Sequence, residues 1–207
     1  MTRRWTQLGM IAVVAGFAGS AQASVWELDT AHSNVDFTVK HMMVSNVRGT
    51  FREVVGMLNV DDKDMSKSSM NFTLQTASVD TRNEKRDGHL KSADFFDAAK
   101  WPLISYKSTS VKKDGKGLKV MGELTIRDVT KPVTLKVTEF SKPTKDPWGA
   151  TKVGAQASAE IERKDFGLTW NKALDAGGWL VGEKVNLHLD VEFTQKDATT
   201  PATASAQ

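Results

Sequence analysis

The sequence predicts an all-β protein, an elongated antiparallel β-barrel of about eight strands with one short helical insertion. Most of the 207-residue chain alternates apolar and polar side chains with period two, as half-buried strands do. Turn residues separate the alternating runs at hairpin spacing. A barrel is favoured over a sandwich because several runs reach about ten residues, or roughly 30 Å. These runs also carry glycines where closure of a barrel needs bends.

The first residues are typical of a secretory signal peptide. Arg3 and Arg4 precede the apolar run 8–19, and small residues then define a cleavage site before Ser24. The run is too short to cross a bilayer, which needs roughly 20 residues. The residues after the paired arginines do not continue a twin-arginine motif, so ordinary Sec export is favoured. We therefore expect a leader over 1–23, a barrel domain over 24–196 and no transmembrane segment in the mature chain.

Composition excludes several function classes. The formal net charge of +3 includes two arginines of the leader, so the mature chain is close to neutral. It has no basic stripe interleaved with aromatic residues, and we expect no nucleic-acid partner. The absence of cysteine excludes disulfides, thiol chemistry and cysteine zinc sites. Residues 197–207 are rich in Thr, Ala and Ser, which predicts a disordered tail.

The predicted strands follow one another from residue 25 to residue 194. They are 25–29, 35–40, 47–60, 70–75, 103–111, 118–126, 133–137, 153–162 and 185–194. The run 47–60 is interpreted as one long strand, with Gly49 and Gly56 as bend or bulge points. The Asp-Gly pair within 112–117 predicts a hairpin turn.

The segment 82–102 departs from this alternation. Its apolar residues recur at three- and four-residue spacing, and Ser92 and Asp94 can each cap the start of a helix. Pro102 is a stop signal. We expect two short helices that cover an open barrel end or a sheet face.

One strand bears directly on function. Along 153–161, Ala155, Ala157 and Ala159 occupy one face, where larger residues would otherwise fill a barrel. The alanines leave room either for one small apolar ligand or for a closely packed helix or strand, and the strand alone does not decide. Strand parity predicts a ligand cavity lined by Val35, Phe37, Val39, Phe51, Leu58, Phe72, Leu74, Leu124, Ala155, Ala157, Ala159, Leu187 and Leu189.

Catalytic and metal-binding patterns are weak. The four histidines lack the two- or four-residue spacing of a preformed metal site. Asp29, His32 and Ser33 supply the residue types of a catalytic triad, but adjacency in sequence is not triad geometry. The acidic run 61–64 lacks the glycine and distal glutamate of a calcium loop. We predict no catalytic residue, no metal site and no cofactor.

A series of motifs in order resembles the YceI-like family of exported bacterial proteins. The resemblance covers Trp26 to about Phe193 and extends over the whole predicted barrel. The matching motifs are WELD at 26–29 with HS at 32–33, VDFTVKH at 35–41, RD at 86–87 with HL at 89–90, SADFFD at 92–97, KWP at 100–102, GELTIRDVTKPV at 122–133, DPWG at 146–149, KDFG at 164–167 and VGEKV at 181–185.

The resemblance implies a lipocalin-like barrel that encloses a long isoprenoid or a comparable amphiphile. It also implies a periplasmic, non-enzymatic protein, commonly a homodimer, connected with isoprenoid-quinone metabolism, transport or storage and with stress at alkaline pH. Two other classes stay open. One is a structural or chaperone-like periplasmic module with a packed core, and the other is an enzyme that acts on an isoprenoid or quinone.

The insertion holds the candidates for binding the lipid head group, which are Arg82, Lys85, Arg86 and His89. Arginine and lysine side chains can pair with a phosphate, whereas neutral donors suffice for a quinone. For Arg86 the alternative is a structural ion pair with a neighbouring aspartate, either Asp87 or Asp94.

Overall fold

A computed structural model describes residues 23–196, so the predicted leader (apart from Ala23) and the predicted tail lie outside the described residues. Within residues 23–196, one α-helix, α1, spans Glu84–Lys91. The strands are β1 Ser24–Leu28, β2 Asn34–His41, β3 Ser45–Phe51, β4 Val54–Val60, β5 Ser69–Gln75, β6 Val79–Asp80, β7 Leu103–Asp114, β8 Gly117–Ile126, β9 Val129–Phe140, β10 Thr144–Lys145, β11 Thr151–Glu162 and β12 Val181–Gln195. Over 23–196, no helix is long and apolar enough to span a membrane.

The strands form one antiparallel sheet that closes on itself through the pairing of β11 with β12. Three of the eight strand positions around the barrel are each filled by two short strands. β1 and β2 follow each other along β12, β3 and β4 form the next position, and β5 and β6 form the third. The closed eight-stranded barrel confirms the predicted fold class.

The prediction of one curved strand over 47–60 is wrong. The chain breaks at Arg52 and Glu53, which separate β3 from β4. β3 pairs with β2 and β6, whereas β4 pairs with β1 and β5. This break matches the break between β1 and β2, so β3 stays paired with β2 and β4 stays paired with β1.

Gly49 and Gly56 are not bends, because the strand register runs through both without a shift. Each glycine lies opposite an aromatic residue, Phe37 for Gly49 and Phe72 for Gly56. A Cβ atom on Gly49 would lie 2.4 Å from Cζ of Phe37, and one on Gly56 would lie 2.7 Å from the Phe72 ring. These two glycines therefore make space for rings that fill the barrel.

The insertion contains one helix rather than two. Asn83 caps the start of α1, since its side chain accepts a hydrogen bond from the Arg86 N–H. Ser92 ends the helix instead of starting a second one, and its hydroxyl donates to the His89 carbonyl at 2.7 Å. Residues 92–100 form turns, in which Asp97 has a positive φ of 49°.

The two halves of the barrel interior are filled differently. In the half where β12 ends, Trp26, Val153 and Phe193 are almost fully buried, and Phe193 packs on Phe72 with ring centroids 6.1 Å apart. At the other end two segments cover the barrel, the insertion (82–102) and the loop between β11 and β12 (163–180), here called the connecting loop. The cavity lies at this covered end.

Candidate functional site

The covered half of the barrel holds an apolar cavity of about 150 Å³. Its accessible wall consists of apolar atoms, contributed by eight barrel strands, the insertion and the connecting loop. The lining residues are Val35, Asp36, Phe37, Val39, Phe51, Phe72, Leu74, Leu90, Phe95, Phe96, Ile104, Tyr106, Leu124, Ile126, Val133, Leu135, Ile161, Arg163, Leu168, Val181, Val185, Leu187 and Leu189.

The structure brings most of the residues predicted by strand parity to this cavity. The predicted residues that line it are Val35, Phe37, Val39, Phe51, Phe72, Leu74, Leu124, Leu187 and Leu189. Whether they bind a ligand stays a prediction. Four others lie outside its lining, namely Leu58, Ala155, Ala157 and Ala159, which pack against the buried core. Leu58 pairs with Trp26 and Met70 in the packed half of the barrel. The three alanines lie opposite Val191, Leu189 and Leu187 on the neighbouring strand β12.

Aromatic contacts join the two covering segments. Trp170 of the connecting loop meets His89 and Phe95 of the insertion, with ring centroids 4.6 and 5.3 Å apart. Phe96 packs edge-on against Phe51 of the barrel at 5.7 Å. Among the described residues no hydrogen bond connects the insertion to the connecting loop, so ring contacts hold this seam. A seam of side-chain contacts can open without breaking the barrel's hydrogen bonds.

Arg163 is a buried cation in the cavity wall, which sequence reasoning did not identify. Its side chain donates to backbone carbonyls of the connecting loop and of β12, including those of Trp170 at 3.0 Å and Gly182 at 2.8 Å. Burial lowers the pKa of the guanidinium, and the charge of Glu183 opposes that shift. The hydrogen bonds fix the connecting loop over the cavity.

Tyr106 is the other polar residue held deep in the wall. Its hydroxyl lies 2.9 Å from the Val120 carbonyl and 3.2 Å from the Val133 carbonyl, and so bonds to the backbone of the neighbouring strands. Burial raises the pKa of this phenol, which keeps it a neutral donor.

The four predicted head-group residues do not converge. The side chains of Arg82 and Lys85 are exposed. Arg86 donates to the Thr81 hydroxyl at 2.7 Å and carbonyl at 2.8 Å, so it holds the start of α1 without the predicted aspartate pair. His89 Nε2 lies 2.9 Å from Asp94 Oδ2, and its ring belongs to the aromatic seam.

Asp29, His32 and Ser33, which supply the residue types of a triad, belong to a network of ion pairs and hydrogen bonds near the surface. Asp29, His32 and Glu192 place possible metal-ligating atoms within 4.8 Å of one another. The Lys152 ammonium already lies 2.6 Å from Asp29 Oδ2 and 3.1 Å from Glu192 Oε1. The Ser33 hydroxyl bonds to the Glu192 backbone instead of to His32. The cluster joins the corner between β1 and β2 to β11 and β12.

This network predicts a dependence of stability on acid. Hydrogen bonds from Lys152 and His32 lower the pKa of Asp29 from 3.8 to about 2. Because the folded-state pKa lies below the unfolded value, the stabilisation is complete above about pH 4 and is lost as the pH falls through 2. It amounts to about 2 kcal/mol. In urea unfolding, Asp29→Asn should be less stable than the wild type at pH 6, and the two should converge below pH 2. A constant difference between them at all pH values would contradict this assignment.

Comparison with known proteins adds relatives in sequence and in structure. Residues 26–193 match the YceI-like domain family. The protein YceI of Escherichia coli O157:H7 is 40% identical over 181 residues, which cover 86% of this chain and 91% of that protein.

Two solved structures are similar to this one. The YceI protein of Campylobacter jejuni is 31% identical, with a TM-score of 0.65, and the match covers 76% of this chain and 90% of that one. A polyisoprenoid-binding domain of Saccharophagus degradans, implicated in plant cell wall breakdown, shares the fold with a TM-score of 0.60 at 14% identity. That match covers 83% of this chain and 98% of the other. From the family match and its extent, the chain belongs to the YceI-like family.

Proposed function

We propose that the protein is a periplasmic binding protein that holds a long isoprenoid lipid, an isoprenoid quinone or a polyprenyl precursor, for transport, storage or a stress response. The observation that carries the proposal is the apolar cavity beneath a cover made of two segments. The family supports it, as does the shared fold with a protein described as a polyisoprenoid-binding domain. Each methylene moved from water into such a cavity contributes about 0.8 kcal/mol.

The size of the cavity bears on how binding occurs. A volume of about 150 Å³ accommodates a molecule of roughly the size of benzene. A long isoprenoid therefore needs the cover to move, and the aromatic seam between His89, Phe95 and Trp170 is where we expect it to open. The same small volume favours the second candidate, a structural or chaperone-like module whose core is simply packed.

We propose binding rather than catalysis because of the residues in the wall. The titratable residues that line the cavity are Asp36, Tyr106 and Arg163, and no histidine is among them. Tyr106 and Arg163 are engaged with backbone carbonyls. A wall with so few titratable residues, two of them bonded to the backbone, is more typical of an apolar binding cavity than of an acid–base catalytic site.

Native mass spectrometry of the protein purified from the periplasm tests the proposal. We expect a protein that begins at Ser24, a homodimer, and an isoprenoid that is released on extraction. An empty protein that also fails to take up added isoprenoids would support the packed module. Conversion of the lipid to a species of different mass would identify an enzyme.

A further inference from the structure

Two turns at the covered end of the barrel expose apolar side chains to solvent. In the turn between β2 and β3, Met42, Met43 and Val44 are exposed, Val44 by 79%. In the connecting loop a short hairpin is closed by an antiparallel bridge from Ala173 to Trp179, and Trp179 is 48% exposed. The two methionines, the valine and the tryptophan are here called the apolar rim. Large apolar side chains gathered on a surface are typical of an interaction site.

The two turns form one surface. The Met42 N–H donates to the Leu180 carbonyl at 2.8 Å. A Cβ atom on Gly178 would lie 3.3 Å from Cγ of Met43, so the Met43 side chain reaches the second turn. The apolar rim is therefore a single patch rather than four scattered side chains.

The first turn contains residues that do not suit its backbone. Met42 and Met43 have φ values of 50° and 64°, and the Val44 N–H closes the turn on the His41 carbonyl at 3.1 Å. Two successive positive φ values are typical of a type I′ turn, which favours Asn-Gly. A long side chain is destabilising in this conformation. Strained residues cluster at binding sites, and here the strained residues are also exposed, which indicates a contact outside the chain.

Lysine residues border the apolar rim. The Lys164 ammonium lies 5.9 Å from the centroid of the rim's indole ring. Lys40 and Lys172 are exposed and lie just before the two turns in the chain. Two acidic residues lie in the same region, Asp175 in the second turn and Glu183, which forms an ion pair with Lys164. The border of the rim thus carries more positive than negative charge.

A lipid bilayer fits this surface better than a protein does. A stable protein interface involves about 20–30 residues on each side, far more than the rim supplies. A bilayer interface accepts a few apolar side chains, with tryptophan at the level of the head groups and lysine ammonium groups near the lipid phosphates. The rim also adjoins the cavity, because Val39 and Val181 line the cavity and lie within three residues of the rim along the chain.

We propose that the apolar rim docks the protein on the surface of a lipid bilayer that contains anionic lipids. The four rim side chains enter the head-group region, and the bordering lysines stay at the phosphates. Docking in this orientation places the aromatic seam against the membrane, so that a lipid passes between bilayer and cavity without crossing water. The choice of a bilayer as the partner rests in part on the proposed function, which requires such a passage.

Flotation with vesicles of phosphatidylcholine and phosphatidylglycerol tests the rim. The wild-type protein should float with the vesicles. The double variant Met42→Asn with Met43→Gly should bind at least about ten-fold more weakly, because burial of one methionine side chain is worth at least about that factor. The same variant should have a thermal midpoint roughly 2–4 °C higher, because Asn-Gly suits the turn. Lost binding in a stabilised variant is not a loss of fold.

Two exposed tryptophans provide a matched control. Trp179→Ser removes the indole of the rim and should weaken vesicle binding. Trp148→Ser removes an indole that is 89% exposed in the turn between β10 and β11, at the opposite end of the barrel, and should leave binding unchanged. An equal loss in both variants would show non-specific adsorption through tryptophan and overturn the docking surface.

Titration with geranylgeraniol in the absence of vesicles separates docking from the proposed function. A wild-type protein that binds this lipid but does not float overturns the docking surface alone, and one that does neither overturns both. Flotation without binding of the lipid supports the docking surface and overturns the function. Analytical ultracentrifugation tests a second copy of the chain as the occupant. If the double variant dissociates a wild-type dimer and floats as well as the wild type, the rim is an interface between copies and the docking surface is wrong.

Discussion

Leu187→Trp is expected to weaken the binding of geranylgeraniol at least ten-fold while the barrel stays folded. Leu187 lies on β12 between Phe37 and Ala159 on the neighbouring strands, and its side chain lines the cavity. An indole at this position occupies part of a volume of only about 150 Å³. Exclusion of two methylenes costs about 1.6 kcal/mol, which exceeds a factor of ten in affinity. Calorimetric titration of both proteins with the lipid measures the effect.

Val55→Trp is the matched control for this substitution. Val55 lies on β4 with 65% of its surface exposed, on the outer face of the barrel. The same increase in side-chain size there should leave affinity unchanged. Binding of the lipid by Leu187→Trp at wild-type strength would place the ligand outside the cavity and contradict the proposed function.

The period-two alternation of the sequence predicted the barrel but not the breaks in its strands. The predicted strand 118–126 and the observed β8, Gly117–Ile126, agree almost residue for residue. The break at residues 52–53 was missed because apolar residues lie directly on both sides of the charged pair Arg52 and Glu53. The side chains that point into the barrel have odd residue numbers up to Phe51 and even numbers from Val54 onwards. The adjacent Val55 is apolar although it is exposed. Because an exposed valine is as apolar as a buried one, the sequence pattern does not show this change of the inward-facing side.

The second predicted helix failed for a local reason. Residues 92–100 have helical spacing, but a segment of that length gains little from helix formation without tertiary support. The backbone N–H groups of Phe95 and Asp97 both donate to the Ser92 carbonyl, which closes a turn. Spacing alone does not distinguish such a turn from one turn of helix.

Parity found cavity residues on the strands and missed those that come from the cover. Leu90, Phe95 and Leu168 reach the cavity only because the insertion and the connecting loop fold over the barrel end. Ile126 lies on the same face of β8 as Leu124, so strand parity could also have predicted it as a cavity residue. Arg163 also lies at an inward-facing position in the continuation of β11. A charged residue at such a position was the signal that could have identified it. The predicted head-group residues do not converge on one point, since a dense group of charges on a surface helix is more often solvated or engaged locally, and their role stays a prediction.

Gly122→Ala is expected to destabilise the protein by about 2–4 kcal/mol, since overpacking and a lost buried hydrogen bond both contribute. Gly122 is buried on β8 beneath the ring of Tyr106. A Cβ atom there would lie 2.5 Å from Cζ of Tyr106 and 2.6 Å from the Lys107 carbonyl oxygen. The ring could move only by breaking its hydroxyl bonds to Val120 and Val133, and the carbonyl belongs to the β7 backbone. The midpoint of thermal unfolding should fall by roughly 5–10 °C.

Gly88→Ala separates this steric effect from the general effect of replacing a glycine. Gly88 lies within α1, and a Cβ atom there meets no heavy atom within 4 Å. Alanine should therefore stabilise the helix by about 0.5–1 kcal/mol, because it restricts the unfolded chain and fits the helix. The same methyl group thus has opposite effects at the two positions, and only the contact with Tyr106 and Lys107 accounts for the difference. If both variants changed stability in the same direction, the ring of Tyr106 would not lie on Gly122, and the wall of the cavity would be built differently.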